Sequence, residues 1–186
     1  ENDSYIPLQE RCAAVNNIVK EKENGIFISI HLNADFNQYT SGTEYYFLSY
    51  DATSEQARIV ALLENKSFNL TNYNISKYED IQKIFGRMEV VQYQNESKFL
   101  AECFEKSFKE KFNRTSLTSR GVRSALFYVL AGVMMPSVLI ETAYITNKKD
   151  IETLIDEIKY AHIIESISDG IILFIDEFNK TNGFSE

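Results

Sequence analysis

A histidine stands near the end of an apolar run that predicts a buried strand. Residues 26–32 are apolar except for Ser29 and His31, and Asn33 follows directly. Alternate side chains of a strand point to one face, so these polar residues share a face. At the carboxyl end of a strand in an α/β sheet, a histidine is placed to bind a metal or a substrate. The alternative is a histidine that caps loop carbonyls, and the spacing alone does not decide between them.

A single carboxylate interrupts a second apolar strand. Residues 137–145 read Ser-Val-Leu-Ile-Glu-Thr-Ala-Tyr-Ile, with Glu141 at the centre. Burial of an ionised carboxylate is costly unless a cation, hydrogen-bond donors or a proton compensate it. Desolvation also raises a carboxyl pKa toward the range that suits a general base. Glu141 is therefore a candidate base, and a structural ion pair with Arg120 or Arg123 is the alternative.

Together, the two residues predict a hydrolytic site if their strands converge. A zinc ion held partly by His31 would polarise an amide carbonyl and acidify a water molecule. Glu141 would take the proton of that water and pass it to the leaving nitrogen. Ser29 and Thr142 have no partner histidine in their own motifs, so a serine-type nucleophile is not supported.

Composition narrows the class of protein. The chain has 186 residues, 44% of them hydrophobic, which fits one packed domain over residues 1–186. The net charge is −8, and the most basic stretch, 106–111, has the pattern of a solvent-exposed helix face. Nucleic-acid binding is therefore not expected. No apolar run approaches the ~20 residues of a transmembrane segment. Cys12 and Cys103 occupy apolar helical positions and are expected to be buried free thiols.

Helical and strand patterns alternate along the chain, which predicts an α/β domain with a largely parallel sheet. Predicted helices lie between Pro7 and Gly25, from Ser54 to residue 63, around 100–112, after the cap Asn147 and over 158–178. Predicted strands lie at 26–32, 42–49, 125–130 and 137–144. Residues 65–95 are rich in Asn, Tyr, Glu and Lys and are expected to form a variable surface insertion, with a helix around 81–85.

Several stretches in a fixed order resemble the type 3 family of cell-wall amidases, which cut N-acetylmuramoyl from L-alanine. The resemblance runs from about residue 3 to about residue 174. It is carried by Phe-Ile-Ser-Ile-His-Leu-Asn-Ala at 27–34, Gly-Thr-Glu-Tyr-Tyr at 42–46, Arg-Gly-Val-Arg-Ser-Ala-Leu-Phe-Tyr-Val-Leu at 120–130, Met-Pro-Ser-Val-Leu-Ile-Glu-Thr-Ala-Tyr-Ile-Thr-Asn at 135–147, and the helix with Pro-Leu-Gln-Glu-Arg at 7–11 and Ala-Val-Asn at 14–16.

The resemblance implies a fold, an activity and two roles. The fold would be a twisted, mostly parallel sheet with helices on both faces. The activity would be zinc-dependent hydrolysis of the amide between N-acetylmuramic acid and L-alanine in peptidoglycan, in cell-wall remodelling or daughter-cell separation. His31 matches a zinc ligand of the family, and Glu141 matches its catalytic glutamate.

Part of the family pattern has no counterpart in this sequence. The family has two further zinc ligands, a histidine in a glycine-rich turn and a glutamate on its first helix. They are expected upstream of Glu1, together with the first two strands and the first helix. The chain alone is then expected to bind zinc poorly and to be inactive, unless the parent protein supplies the missing portion. Zinc retained by the chain alone would indicate that other residues, such as Glu44 or Glu64, complete the site. Glu64 could also reach over the cleft, because relatives use an inserted helix there to obstruct zinc.

The resemblance also implies a location and partners. The protein would be exported to the periplasm or cell envelope, with peptidoglycan as substrate and an activator protein as a further partner. A non-catalytic envelope protein of the same fold, which binds peptidoglycan or a division partner, is the chief rival interpretation. A zinc peptidase acting on bare peptides is a weaker one. The other histidine, His162, lies beside the apolar stripe of the last helix and is expected to be structural.

Overall fold

Among the described residues, one helix is followed by two strands, two helices, two strands and two helices, so the elements do not strictly alternate as the polarity pattern predicts. The computed structural model describes residue 6 and residues 8–22, 24–65, 93–112 and 117–181. The helices are α1 (Leu8–Lys22), α2 (Glu55–Asn65), α3 (Gln94–Phe112), α4 (Lys148–Ile155) and α5 (Glu157–Lys180). The strands are β1 (Phe27–Asn33), β2 (Thr43–Leu48), β3 (Ser119–Ala125) and β4 (Ser137–Tyr144). Most of the insertion expected at 65–95, with its helix around 81–85, lies outside the described residues.

The four strands form a single mixed sheet in the order β1-β4-β2-β3. The pairs β1–β4 and β2–β3 are parallel, while β2 and β4 run antiparallel. The sheet is therefore mostly parallel, as expected, with an antiparallel junction that the sequence pattern did not indicate. Because β4 lies inside the sheet, all of its residues are buried, which explains its nearly unbroken apolar sequence.

Helices cover both faces of the sheet, which confirms the predicted layers. On one face, α2 and the segment after β3 pack against Tyr46 and Leu139. On the opposite face, α3 and α5 pack against Tyr45, Val138 and Ile140. Consecutive residues of β2 and β4 thus serve different cores, as the alternation of a strand requires. Among the described residues, no helix combines the length and the apolarity that a membrane span needs.

The strand predicted at 125–130 is wrong. The strand in this region is β3, which ends at Ala125, and the apolar residues beyond it form turns. The backbone N–H groups of Leu130 and Ala131 both donate to the carbonyl of Phe127. β3 is an edge strand in which only its last two residues are buried. The polar sequence of β3 therefore did not indicate a strand. The turn segment that follows is apolar because it packs in the core beneath α2.

The cysteines are free and buried, as predicted. The Cys12 thiol on α1 lies 3.4 Å from the Ala131 carbonyl oxygen, and Cys103 lies in the core of α3. Burial raises the pKa of both thiols, that of Cys103 to about 11. Both are therefore protonated packing residues at neutral pH.

The predicted cap at Asn147 ties the strand ends together. The Asn147 side chain accepts hydrogen bonds from the backbone N–H groups of Lys149 and Asp150, which starts α4. Asp150 is buried, and one carboxylate oxygen accepts from the backbone N–H groups of Gly42, at 3.0 Å, and Tyr144, at 2.9 Å. The start of β2 and the end of β4 are thereby held together at one end of the sheet, beside the polar residues predicted to do chemistry.

Candidate active site

His31 and Glu141 are neighbours across the parallel pair β1–β4. The prediction that the two residues lie on adjacent strands is therefore confirmed. On the other side of β4, Glu44 pairs with Glu141 across the antiparallel junction. His31, Glu141 and Glu44 form one line across three strands, called here the polar row. The row faces α2, because Glu141 and Leu139 share a face of β4 and Leu139 packs in the core beneath that helix.

Helix α2 adds a third side chain to the centre. The helix begins at the predicted cap Ser54, whose Oγ accepts from the Ala57 backbone N–H at 3.1 Å. Its buried stripe continues to Glu64, which lies three positions beyond Ala61 and therefore points toward the sheet. The Glu64 Oε2 atom is 2.8 Å from His31 Nδ1. Ligand atoms of His31, Glu64 and Glu141 all lie within 4.8 Å of one another.

Both ring nitrogens of His31 have partners. Nδ1 faces Glu64, and Nε2 lies 2.7 Å from the Ser29 hydroxyl oxygen. Nδ1–H donates to the Glu64 carboxylate, and the hydroxyl of Ser29 can either donate to Nε2 or accept from it. Ser29 thus shares the face of His31, as predicted. Neither nitrogen bonds a carbonyl among the described residues, so the loop-capping alternative is wrong.

Glu141 is fully buried without a compensating group. Its relative exposure is 0%, and neither carboxyl oxygen has a hydrogen-bond partner among the described residues. Burial raises the pKa of Glu141 to about 8, and the charges of Glu64 and Glu44 add to that effect. The ion pair with Arg120 or Arg123 considered above is wrong, because both guanidinium groups contact Glu44 instead. A carboxyl group in this state suits a proton acceptor or a nearby cation.

Glu44, named above only as a residue that could complete the zinc site, is a buried carboxylate outside the group of His31, Glu64 and Glu141. It accepts hydrogen bonds from Arg120 Nε at 2.8 Å, the Tyr46 hydroxyl at 2.8 Å and Asn33 Nδ2 at 2.9 Å. Arg123 Nη1 lies 3.5 Å away. The available signal was the one used for Glu141, namely a carboxylate inside an apolar strand. Unlike Glu141, Glu44 has hydrogen-bond donors and two guanidinium groups around it, which gives it a structural role.

The chemistry of the donor set fits a divalent metal. One imidazole and two carboxylates within 4.8 Å of one another are ligand types of catalytic zinc sites. A cation would also compensate the unpartnered oxygens of Glu141. His162 is not part of this group: it lies on α5, with its ring edge-on to Phe112 at 6.2 Å between centroids.

Fold, polar row and donor set together define an α/β domain with a cluster of side chains that could bind a metal. The chain belongs to the Amidase_3 family of N-acetylmuramoyl-L-alanine amidases, whose family model matches residues 1–172. The resemblance carried by the strand motifs is thereby confirmed over almost the whole chain.

Curated relatives are amidases of greater length. The N-acetylmuramoyl-L-alanine amidase LytC of Bacillus subtilis (strain 168) is 28% identical over 173 residues, which are 93% of this chain and 25% of LytC. The amidase AmiA of Escherichia coli (strain K12) is 26% identical over 187 residues, which are 99% of this chain and 62% of AmiA. The chain therefore spans a quarter of one relative and less than two thirds of the other.

Solved amidases share the fold. The N-acetylmuramoyl-L-alanine amidase of Clostridium difficile 630 superposes with a TM-score of 0.61 at 21% identity, over 94% of this chain and 68% of that one. The catalytic domain of CwlV from Bacillus (Paenibacillus) polymyxa var. colistinus gives 0.60 at 23% identity, over 94% and 69%. The α/β architecture is thus that of the amidases.

Proposed function

We propose that this chain belongs to the catalytic domain of a zinc-dependent peptidoglycan amidase, which hydrolyses the amide between N-acetylmuramic acid and L-alanine. The observation that carries the proposal is Glu141, a fully buried carboxyl group without a hydrogen-bond partner among the described residues. It lies beside His31 of β1 and Glu64 of α2, in a chain that belongs to a family of amidases. A buried, uncompensated carboxyl group is costly to the fold and is retained where it serves chemistry.

His31 and Glu64 would hold the metal. The two further ligands that the resemblance implies have no counterpart in this sequence, whereas Glu64 offers a carboxylate oxygen within the chain itself. Zinc bound there would act as a Lewis acid on the amide carbonyl. Ser29 orients the His31 ring through its 2.7 Å contact with Nε2. Because Nδ1 already faces Glu64 at 2.8 Å, metal binding must rearrange or replace that hydrogen bond.

Glu141 would move the proton. The group accepts a proton from the attacking water as the new carbon–oxygen bond forms. It then delivers that proton to the nitrogen of L-alanine as the carbon–nitrogen bond breaks. Burial raises the pKa of Glu141 to about 8 in the metal-free protein, and a bound cation would lower it toward neutral pH, where one carboxyl group can both accept and release a proton. Burial also excludes bulk water from the group, so its proton is exchanged with the substrate.

The setting proposed for this activity is the periplasm or cell envelope, in cell-wall remodelling or daughter-cell separation. The named relatives LytC and AmiA are N-acetylmuramoyl-L-alanine amidases, which supports peptidoglycan as substrate. An activator protein is proposed as a further partner. It is supported by the CwlD amidase from Clostridioides difficile, which was solved in complex with the GerS lipoprotein and matches with a TM-score of 0.56.

Product analysis tests the proposal. The protein as its gene encodes it is incubated with a muropeptide, and the products are identified by mass spectrometry. We expect free N-acetylmuramic acid and a peptide with a new L-alanine amino terminus, with loss of turnover in a chelator and recovery with zinc. A bare stem peptide is the control and should remain intact. Cleavage inside the peptide would indicate a peptidase, and peptidoglycan binding without cleavage at any zinc concentration would indicate a non-catalytic envelope protein.

A further inference from the structure

Arg120 is held rigidly beside the polar row. Its Nε donates to the buried Glu44 carboxylate at 2.8 Å, and its guanidinium carbon lies 5.6 Å from the centroid of the Tyr144 ring. The aliphatic part of the side chain crosses Gly42, where an added Cβ would lie 3.1 Å from Arg120 Cγ. Gly42 also has a φ of 116°, which disfavours any other residue. These contacts fix the direction in which the guanidinium group points.

The outer N–H groups of Arg120 are open. Among the described residues, Nε is the Arg120 nitrogen with a hydrogen-bond acceptor, and the N–H groups on both Nη atoms have none. The side chain is about one quarter exposed, at 25%. Asp35 is near enough for the Arg120 charge to lower its pKa, although its hydrogen bond with the backbone N–H of Asn37 lowers that pKa most. A planar guanidinium group with free outer N–H groups matches the geometry of a carboxylate.

The local charge favours an anion at this point. Glu44 is the one carboxylate that pairs with both Arg120 and Arg123 within the described part of the chain. The two arginines and Glu44 therefore carry one net positive charge at the β3 end of the polar row, partly offset by Asp35, while Glu64 and Glu141 lie toward β1. In a chain with a net charge of −8, this is a localised cation beside an acidic centre.

The spacing sets which part of a substrate could reach Arg120. Strands in a sheet lie about 4.8 Å apart, and Arg120 on β3 is two strands away from Glu141 on β4. The arginine backbone thus lies roughly 10 Å from the base. An extended peptide covers about 3.5 Å per residue. A group on the second residue after the scissile amide is therefore within reach of the guanidinium side chain.

We propose that Arg120 forms a carboxylate-binding subsite for the second residue of the stem peptide. This inference rests on the proposed amidase function. In peptidoglycan that residue is a D-glutamate linked through its side chain, so its α-carboxylate is either free or amidated. A free carboxylate would accept hydrogen bonds from the Nη groups of Arg120. An amide in its place would carry no negative charge to compensate the guanidinium group. The subsite thus makes the protein selective for peptidoglycan with a free α-carboxylate.

Binding of two matched ligands tests this subsite. N-acetylmuramoyl-L-alanyl-D-glutamate and its D-isoglutamine analogue are titrated into the metal-free protein by calorimetry, so that no turnover interferes. A charge-assisted hydrogen bond should favour the free carboxylate by about tenfold or more in Kd. Arg120→Gln should bind both ligands alike, with the affinity for the amidated ligand unchanged. Arg120→Lys, which keeps a positive charge beside Glu44 but lacks the planar fork, should retain part of the preference.

Arg58→Gln is the control, because it removes the same charge from an exposed α2 site that pairs with Glu55. It should keep the wild-type preference. Equal binding of the two ligands by the wild type, or an undiminished preference in Arg120→Gln, would overturn the subsite and leave the amidase proposal standing. Failure of the wild type to bind either ligand would count against the proposed function and, with it, the subsite. The comparison of the two ligands on the wild-type protein does not depend on whether any variant folds.

Discussion

At the scale of single residues, two buried glutamates paired in register have opposite environments. Glu44 has hydrogen bonds from a guanidinium, a hydroxyl and an amide, and it is paired with two arginines. Glu141, next to it across the β2–β4 junction, has no hydrogen-bond partner among the described residues. Neighbouring carboxyl groups in such different surroundings suit different tasks, Glu44 the anchoring of two arginines and Glu141 the acceptance of a proton.

The raised pKa of Glu141 makes the stability of the metal-free protein depend on pH. Its pKa rises from 4.5 to about 8 on folding, mainly through burial. Between those values the native state holds a proton that the unfolded state has lost. Stability therefore falls as pH rises through this window, by several kcal/mol in all. Urea unfolding at pH 5 and pH 8 measures the effect.

Zinc and a substitution both provide controls for the pH effect. Glu141→Gln should remove most of the loss between pH 5 and pH 8, because the amide does not titrate. Bound zinc should also reduce it, since a cation stabilises the ionised carboxylate. A wild-type stability that is flat or rises over this window would show that Glu141 ionises without cost in the folded protein.

Glu64 is expected to contribute directly to metal affinity. Its Oε2 atom reaches His31 Nδ1 at 2.8 Å from α2, so Glu64→Gln weakens both a ligand position and the orientation of the ring. We expect zinc affinity to fall by about 10-fold or more, measured by competition with a chromophoric chelator. Glu55→Gln, at the other end of the same helix, is the control and should bind zinc like the wild type. Unchanged affinity in Glu64→Gln would remove Glu64 from the metal site.

Among the elements, the fully buried strand β4 was predicted correctly and the edge strand β3 was misplaced. β4 was predicted at its observed bounds because both of its faces are buried, which imposes an apolar sequence. β3 was misplaced because an edge strand tolerates polar residues such as Arg120 and Arg123. The approach of Glu64 to the site was expected only from the family resemblance, because Glu64 and His31 are joined by packing and not by any local pattern.

Contact between α3 and α5 depends on the absence of a side chain at Gly170. An added Cβ there would lie 2.5 Å from Phe104 Cδ1 and 3.0 Å from Phe104 Cα. Gly170→Ala should therefore destabilise the protein by ~1–3 kcal/mol through overpacking, although alanine favours helices over glycine by about 1 kcal/mol. The midpoint of urea unfolding measures this change in stability. Ser168→Ala, at an exposed position of α5, should change little, and a stabilised Gly170→Ala would show that the helices can separate at no cost.

At the scale of the whole molecule, topology assembles the site from distant parts of the sequence. The polar row uses β1, β4 and β2, and the strand order β1-β4-β2-β3 places residues 31, 141 and 44 side by side. The motifs allowed His31 and Glu141 to be predicted, because each is a polar residue inside a buried strand. Glu44 carries the same signal, but its pairing with Arg120 could not be predicted, because it depends on which strand lies beside β2.

The central claim is that Glu141 is the base of an amidase and not a structural carboxylate. Glu141→Gln keeps the size of the side chain and removes the base, so turnover of a muropeptide should fall by at least ~10²-fold. Zinc should still bind, because His31 and Glu64 are unchanged. The melting temperature should hold or rise, since an uncompensated buried carboxyl group is lost. Activity, zinc content and melting temperature are measured on one sample of the protein as its gene encodes it. A stable, zinc-loaded variant with wild-type turnover would contradict the account.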